Sequence, residues 1–326
     1  MSVSLRRKNV LQLSATATLA ALAALGTVHT TAGIQGSGIR VFAAVGAITA
    51  TGSGNVVVGG VEYSTAGAQV DVDGAPGSQS QLHVGDVISI SGTDFGKGRG
   101  HDSAATSVAF SSNVRGAVSG VDVPSSTFFM LGQTVHITST TAFDPSIQPT
   151  GLQGVQNGVV LEVSGFADAA GNIVASRVGT TGNGAIARVT GAVHNLNPTQ
   201  MTFSINSLIV RYADAVVTGT LSEDAQVTVQ GPQPSGANAT LSAARVDLAS
   251  ALHAQAGTEG RIEGLITDFP SANYFEVNGQ PVTVDSRTHL NLHVPLGLDV
   301  SLKVTGTFDA TGALVAKQVQ TRNKDE

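Results

Sequence analysis

Serine and histidine are the residues of this chain that could do hydrolytic chemistry. A serine hydroxyl becomes a strong nucleophile when a histidine takes its proton. The chain carries eight histidines but no Gly-x-Ser-x-Gly turn to present a nucleophile at the end of a strand. His83, His101, His136, His194, His253, His289 and His293 fall at unrelated positions, so spacing assembles no triad. No catalytic residue is assigned, and the expectation is a protein that is not an enzyme.

Metal chemistry has two candidate segments. His289-Leu290-Asn291-Leu292-His293 places two imidazoles four residues apart. Its surroundings read as strand or loop, where such positions share a face but lie about 13 Å apart, too far for one ion. Asp71-Val72-Asp73-Gly74 starts like a calcium loop but lacks the later Asp/Asn and Glu ligands. It reads as an Asp-Gly turn. With no cysteine there is no disulfide, thiolate site or cysteine nucleophile. No metal-ligating or cofactor-binding residue is assigned, and no cofactor is expected.

Binding chemistry is sparse as well. The loop Gly96–Gly100, with Lys97 and Arg99, could hold an anion on its amides and cations; the plainer reading is a solvated loop. Nucleic-acid binding needs a basic groove and exposed aromatics. This chain has 17 basic against 23 acidic residues and few aromatics, the adjacent pair Phe128-Phe129 among them. A carbohydrate platform is poorly supplied, with no Trp and three Tyr. The sequon Asn238-Ala239-Thr240 is assigned no role.

That leader occupies the first 32 residues. Arg6, Arg7 and Lys8 precede a run of Ala and Leu from Val10 to Leu25, and Thr30-Thr31-Ala32 offers small residues for cleavage. This is the three-part plan of a secretory signal peptide. Its removal leaves 14 basic against 23 acidic groups, a net charge of −9, which disfavours phosphate backbones. The expected address is periplasmic or extracellular. Beyond residue 32 no stretch is long and apolar enough to span a bilayer as a helix.

The elements that must position any site come from an internal repeat. A Gly-x-aliphatic opening recurs at Gly46, Gly116, Gly191 and Gly264. An alternating strand ending in glycine closes on Gly92, Gly165, Gly231 and Gly306. A third element runs Gly171 to Val178 and is matched by Gly312 to Val319, with Leu241 to Val246 and Ala104 to Phe110 as further copies. Between the first two elements lies a hairpin, clearest at Phe275 to Val284, where Asn278-Gly279 separates two alternating strands. Composition agrees: 39 Gly, 41% hydrophobic residues and 12% charged residues suit short strands and tight turns.

The fold class expected is all-β: four tandem small OB-like barrels of about 70 residues. The boundaries are 1–32 for the signal peptide, then 40–112, 113–182, 185–250 and 258–323. The Gly-x-Val opening, the Val-Asn-Gly hairpin and the Gly-Asp-x-Val-x-Val-x-Gly strand resemble a domain family of unknown function. It occurs in tandem in secreted bacterial proteins, especially proteobacterial ones. The resemblance covers nearly all of residues 43–322 and implies a small OB-like barrel. Its motifs are structural glycines and core aliphatics, so it implies no active-site residue. The first unit departs most. The function expected is an envelope or extracellular scaffold or protein-interaction module, with a protein partner and no nucleic acid. A small-ligand, carbohydrate or ion-binding protein using one divergent repeat is the alternative.

Overall fold

A computed structural model describes residues 40–94, 103–181, 184–235, 240–249, 252 and 254–322. The leader, the Gly96–Gly100 loop, His101, His253 and Asn238 lie outside the described residues. The described elements are strands and two single 3-10 turns, Gln79–Gln81 and Leu152–Gly154.

The strands fall into four stretches. The first holds β1 (Arg40–Gly52), β2 (Asn55–Val58), β3 (Val61–Ser64), β4 (Gln69–Val72), β5 (Ala75–Pro76), β6 (Val87–Asp94) and β7 (Ser103–Phe110). The second holds β8 (Val114–Asp122), β9 (Thr127–Met130), β10 (Gln133–His136), β11 (Ala142–Phe143), β12 (Val160–Ala167) and β13 (Ile173–Thr180). The third holds β14 (Ile186–Ala192), β15 (His194–Asn197), β16 (Thr202–Ile205), β17 (Leu208–Arg211), β18 (Val216–Thr218), β19 (Gln226–Pro232), β20 (Leu241–Ser242) and β21 (Arg245–Leu248). The fourth holds β22 (Glu259–Ser271), β23 (Tyr274–Val277), β24 (Gln280–Thr283), β25 (His289–Asn291), β26 (Ser301–Phe308) and β27 (Leu314–Thr321).

Within each stretch the pairings close a small barrel. In the fourth, β22 pairs β23, β23 pairs β24, β24 runs parallel to β27, β27 pairs β26, and β26 returns to β22. In the first, β1, β2, β3, β7 and β6 follow the same circuit. The second repeats it with β8, β9, β10, β13 and β12. In the third the first and last strands are each broken in two, as β14–β15 and β20–β21. Full closure leaves few free sheet edges. Alternation puts Phe128, Phe203, Phe275 and Phe308 wholly inside.

The recurring glycines have two steric causes. On Gly92, Gly165 and Gly306 the ladder between the last two long strands slips by one residue, a β-bulge. A β-carbon on any of them, or on Gly231, would collide with the carbonyl oxygen of the facing strand. Only glycine lets the two strands approach closely enough to turn the barrel wall. The opening glycines lie under the hairpin tips. A β-carbon would meet Leu131 at Gly116, Ile205 at Gly191 and the Asn278 amide at Gly264. Asn278 and Gly279 have φ of 49° and 72°, as a type I′ turn requires. The Asn278 side chain donates to the Glu263 carbonyl at 2.8 Å and accepts from the Leu265 amide at 3.2 Å.

The barrels are joined by their first strands. β1 runs parallel to β22 from Phe42↔Glu259 to Val45↔Ile262. β8 pairs antiparallel with β14 through Val114↔Val189 and Arg115↔Arg188. The cores merge accordingly: one apolar cluster spans the second and third barrels, and the fourth barrel's cluster takes in Ala43, Val45 and Val87 of the first.

Replacing Gly306 by Ala is expected to lower stability by about 1–3 kcal/mol, the usual cost of forcing an extra carbon into a packed site. Gly297, which has open space around it, serves as the control. Equal melting temperatures for Gly306→Ala and Gly297→Ala would refute the closure argument.

Candidate functional site

Where the first three barrels meet, four charged side chains lie close together. Arg115 and Arg188 oppose each other across the β8–β14 pair and are 8% and 2% exposed. Like charges in direct opposition repel, so this pairing needs an anion. Asp73, from the β4–β5 turn, supplies it. Its carboxylate pairs with Arg115 Nη2 and lies 3.3 Å from Arg188 Nε. Glu162 Oε2 accepts from Arg115 Nη2 at 2.6 Å and Nε at 2.9 Å. Two guanidinium groups and two carboxylates thus cancel. Burial, with Arg115 beside it, pulls the Arg188 guanidinium down to about 10, so it stays charged near neutral pH. The turn forms because Asp73 and Gly74 both take positive φ, and the Gly74 amide donates to Asp71 Oδ1 at 2.8 Å. The Asp71–Gly74 segment is therefore an Asp-Gly turn whose Asp73 carboxylate is held by arginine.

Other polar contacts tie the remaining barrels. Arg177 lies 3.3 Å from Asp144 and 3.8 Å from Asp86 of the first barrel. Ser176 Oγ donates to the Gly85 carbonyl at 2.5 Å. Asn206 reaches from the third barrel to Gln133 Oε1 at 2.7 Å and the Gly171 carbonyl at 2.9 Å. The Ala169 amide donates to Asp299 Oδ1 of the fourth barrel at 2.8 Å. Arg261 Nη1 reaches the Tyr63 hydroxyl at 3.3 Å, and Lys303 Nζ donates to the Gly59 carbonyl.

A cleft of about 550 Å³ is lined by residues from all four barrels, Ala169, Gly171 and Asn206 of these contacts among them. Val45 and Val87 line it from the first, the β12–β13 turn from the second, Thr190 and His194 from the third, and Asp268, Tyr274 and Glu276 from the fourth. Among the described residues its ionisable side chains are Asp168, Asp224, Asp268, Glu276, His194 and Tyr274, with no lysine or arginine. His194 Nδ1 lies 3.4 Å from Asp224 Oδ1. Asp168 is occupied by its own turn, accepting from the Asn172 amide at 2.8 Å and the Asn172 side chain at 3.0 Å. Glu276 differs. It is 2% exposed, sits directly opposite Asp268 on β22, and its Oε2 has no hydrogen-bond partner. Burial, and then the Asp268 carboxylate, push Glu276 up to about 7.

The described histidines are not gathered. His83 pairs with Asp86 at 3.5 Å, while His289 and His293 are both exposed on and beside β25. Among the described residues no three His, Asp or Glu side chains stand close enough to hold a metal ion together. Phe128 enters the core and Phe129 is 40% exposed. The alternative that one divergent barrel carries the site does not match this cleft, which lies between barrels. Sequence reasoning missed Glu276, because a glutamate in an alternating strand reads as solvent-facing until a neighbouring barrel covers it. Among the described residues no helix is long and apolar enough to cross a membrane.

Circuit and cleft together define an all-β protein of small closed barrels packed around a shared junction. Within that class, residues 115–179 and 259–320 each match the model of a domain of unknown function, DUF5666. The two matches fall on the second and fourth barrels, so two separate stretches of the chain are similar to this one domain. A search of curated proteins found no match.

Two predictions follow from the charges. Asp73→Asn keeps a residue that tolerates positive φ but removes the anion between two buried arginines. A loss of about 3 kcal/mol is expected in chemical denaturation, and an unchanged midpoint would show that Glu162 suffices. Glu276 has a folded pKa above its ordinary 4.5, so the folded state binds that proton more tightly. Its stabilising contribution is complete below the unfolded value and is lost as pH rises through the folded one. The groups around it are Asp268 and Tyr274 on its own sheet, with Asp168, Asp224 and His194 also lining the cleft. Melting temperature should fall from about pH 5 to about pH 8, and Glu276→Gln should flatten much of that fall. Identical profiles would place the titration elsewhere.

Proposed function

We propose that this is a non-enzymatic binding protein of the periplasm or cell exterior, in which the barrels are scaffold and the shared cleft receives a small polar ligand. The observation that carries this reading is the cleft, lined from all four barrels. Its volume falls within the range of small-molecule sites, about 300–1,000 Å³. Its walls combine apolar side chains with converging polar groups, the usual composition of such sites. The leader-like first 32 residues support the address. The scattered histidines support a binding role over a catalytic one.

A protein-interaction role is the second reading, favoured by one feature. Leu290, Leu292, Val294 and Leu298 are all at least a third exposed within one short segment of the fourth barrel. Apolar side chains clustered at a surface favour contact with another protein.

The deciding measurement is a thermal-shift screen of the mature chain against amines, sugars, nucleotides and divalent cations, repeated on Ala170→Trp. Ala170 is exposed in the β12–β13 turn at the cleft wall, so the indole narrows the cleft without entering a core. A ligand that binds the native state raises the melting temperature, and the variant should lose that shift. An equal shift in both proteins would remove the cleft from the function. Co-sedimentation with envelope fragments that is lost in Leu292→Asp/Leu298→Asp and retained in Ala170→Trp would favour the second reading.

A further inference from the structure

We propose that the cleft takes a small organic cation, a primary amine or a guanidinium, with Glu276 and Asp268 as its counter-ions. This rests on the reading of the cleft as a ligand site and adds the chemistry of the ligand.

The first ground is an unmet valence. Glu276 is 98% buried and lines the cleft, yet its Oε2 lacks a donor. A buried carboxylate oxygen left without a donor carries its full desolvation cost. The protein meets comparable demands elsewhere. The Asp73 and Glu162 carboxylates are both satisfied by Arg115, and Glu263, 3% exposed, lies 3.5 Å from Arg322. At Glu276 no cation from the described residues lines the cleft.

The second ground is geometric. Asp268 and Glu276 are direct cross-strand partners on β22 and β23. Two carboxylates in that relation repel each other, and one donor-rich cation between them removes the conflict. An ammonium offers three N–H donors and a guanidinium five. Tyr274, two residues from Glu276, lines the same wall. An aromatic ring beside a cation adds attraction through its π face.

The third ground separates an organic cation from a metal ion. A divalent ion of the calcium type needs six to eight oxygen ligands at 2.3–2.6 Å by general coordination rules, or about that. No trio of acidic or histidine side chains among the described residues is close enough to supply its core. An amine needs only two or three acceptors and can extend its carbon chain along Val45, Val87 and Phe166. The net charge of −9 without the leader would also draw cations toward the protein.

The test is isothermal titration calorimetry of the mature chain with 1,4-diaminobutane and agmatine. The neutral diol 1,4-butanediol and calcium chloride serve as comparison probes. Binding of an amine or agmatine, with no heat from the diol, is expected. Glu276→Gln preserves shape and should weaken that binding by about tenfold or more, the worth of one charge-assisted hydrogen bond. Asp268→Asn, at an exposed position, should weaken it too and does not disturb a core. Ala170→Trp should abolish it. If both cations fail to bind, or bind equally well to Glu276→Gln and Asp268→Asn, the proposal is overturned. If the diol or another neutral compound binds and is blocked by Ala170→Trp alone, the cleft reading survives and the cation assignment falls. Tighter binding of calcium that depends on Glu276 also overturns it in favour of a metal.

Discussion

The arrangement of the first three barrels depends on one electrostatic constraint. Arg115 and Arg188 meet head-on across the strands that join the second and third barrels, and both are buried. That pairing is tolerable only with anions beside it. One anion, Glu162, comes from the adjacent strand; the other, Asp73, comes from a turn of the first barrel. The first barrel is thereby drawn onto the other two. The Asp73 backbone takes part as well: its carbonyl accepts from Arg188 Nη1 at 3.4 Å, while its carboxylate accepts from the Ser112 amide at 2.9 Å. A turn that would otherwise be an ordinary surface feature becomes a fixed contact.

Barrel closure is the second constraint, and it works at shorter range. A five-stranded sheet closes only if its wall bends sharply. The bulges at Gly92, Gly165 and Gly306 supply that bend, where the facing carbonyl leaves no room for a β-carbon. The hairpin tips then fold over the opening glycines. Closed barrels hide most of their edges, so they join where a first strand remains open: β1 to β22, and β8 to β14. The cleft is the space left among these joints.

Charge is distributed unevenly between junction and cleft. At the junction each buried carboxylate has an arginine. At the cleft no described arginine joins the carboxylates, and Glu276 is left with an unfilled acceptor beside Asp268. The two sites obey the same desolvation rule. One satisfies it within the chain and is structural. The other leaves an acceptor unfilled among the described residues, and that contrast is the physical basis for the proposed binding site.

The all-β class, the strand order within a unit and the turn at Asn278-Gly279 were legible in the sequence. Each depends on contacts between residues near in the chain: alternation sets the inward face, and positive φ selects Asn and Gly. Gly306 and its counterparts were visible as a recurring residue, though their steric reason needed the facing carbonyls. Asp73 could be read as a turn residue but not as the partner of Arg115 and Arg188, which lie 42 and 115 positions further along. Glu276 gave no signal, since alternation along β23 does not say which outward face another barrel will cover. Local sterics and periodicity belong to the sequence alone. The junction and the cleft were decided by tertiary structure, because buried charge must find its partner through space, and no spacing rule along the chain encodes that distance.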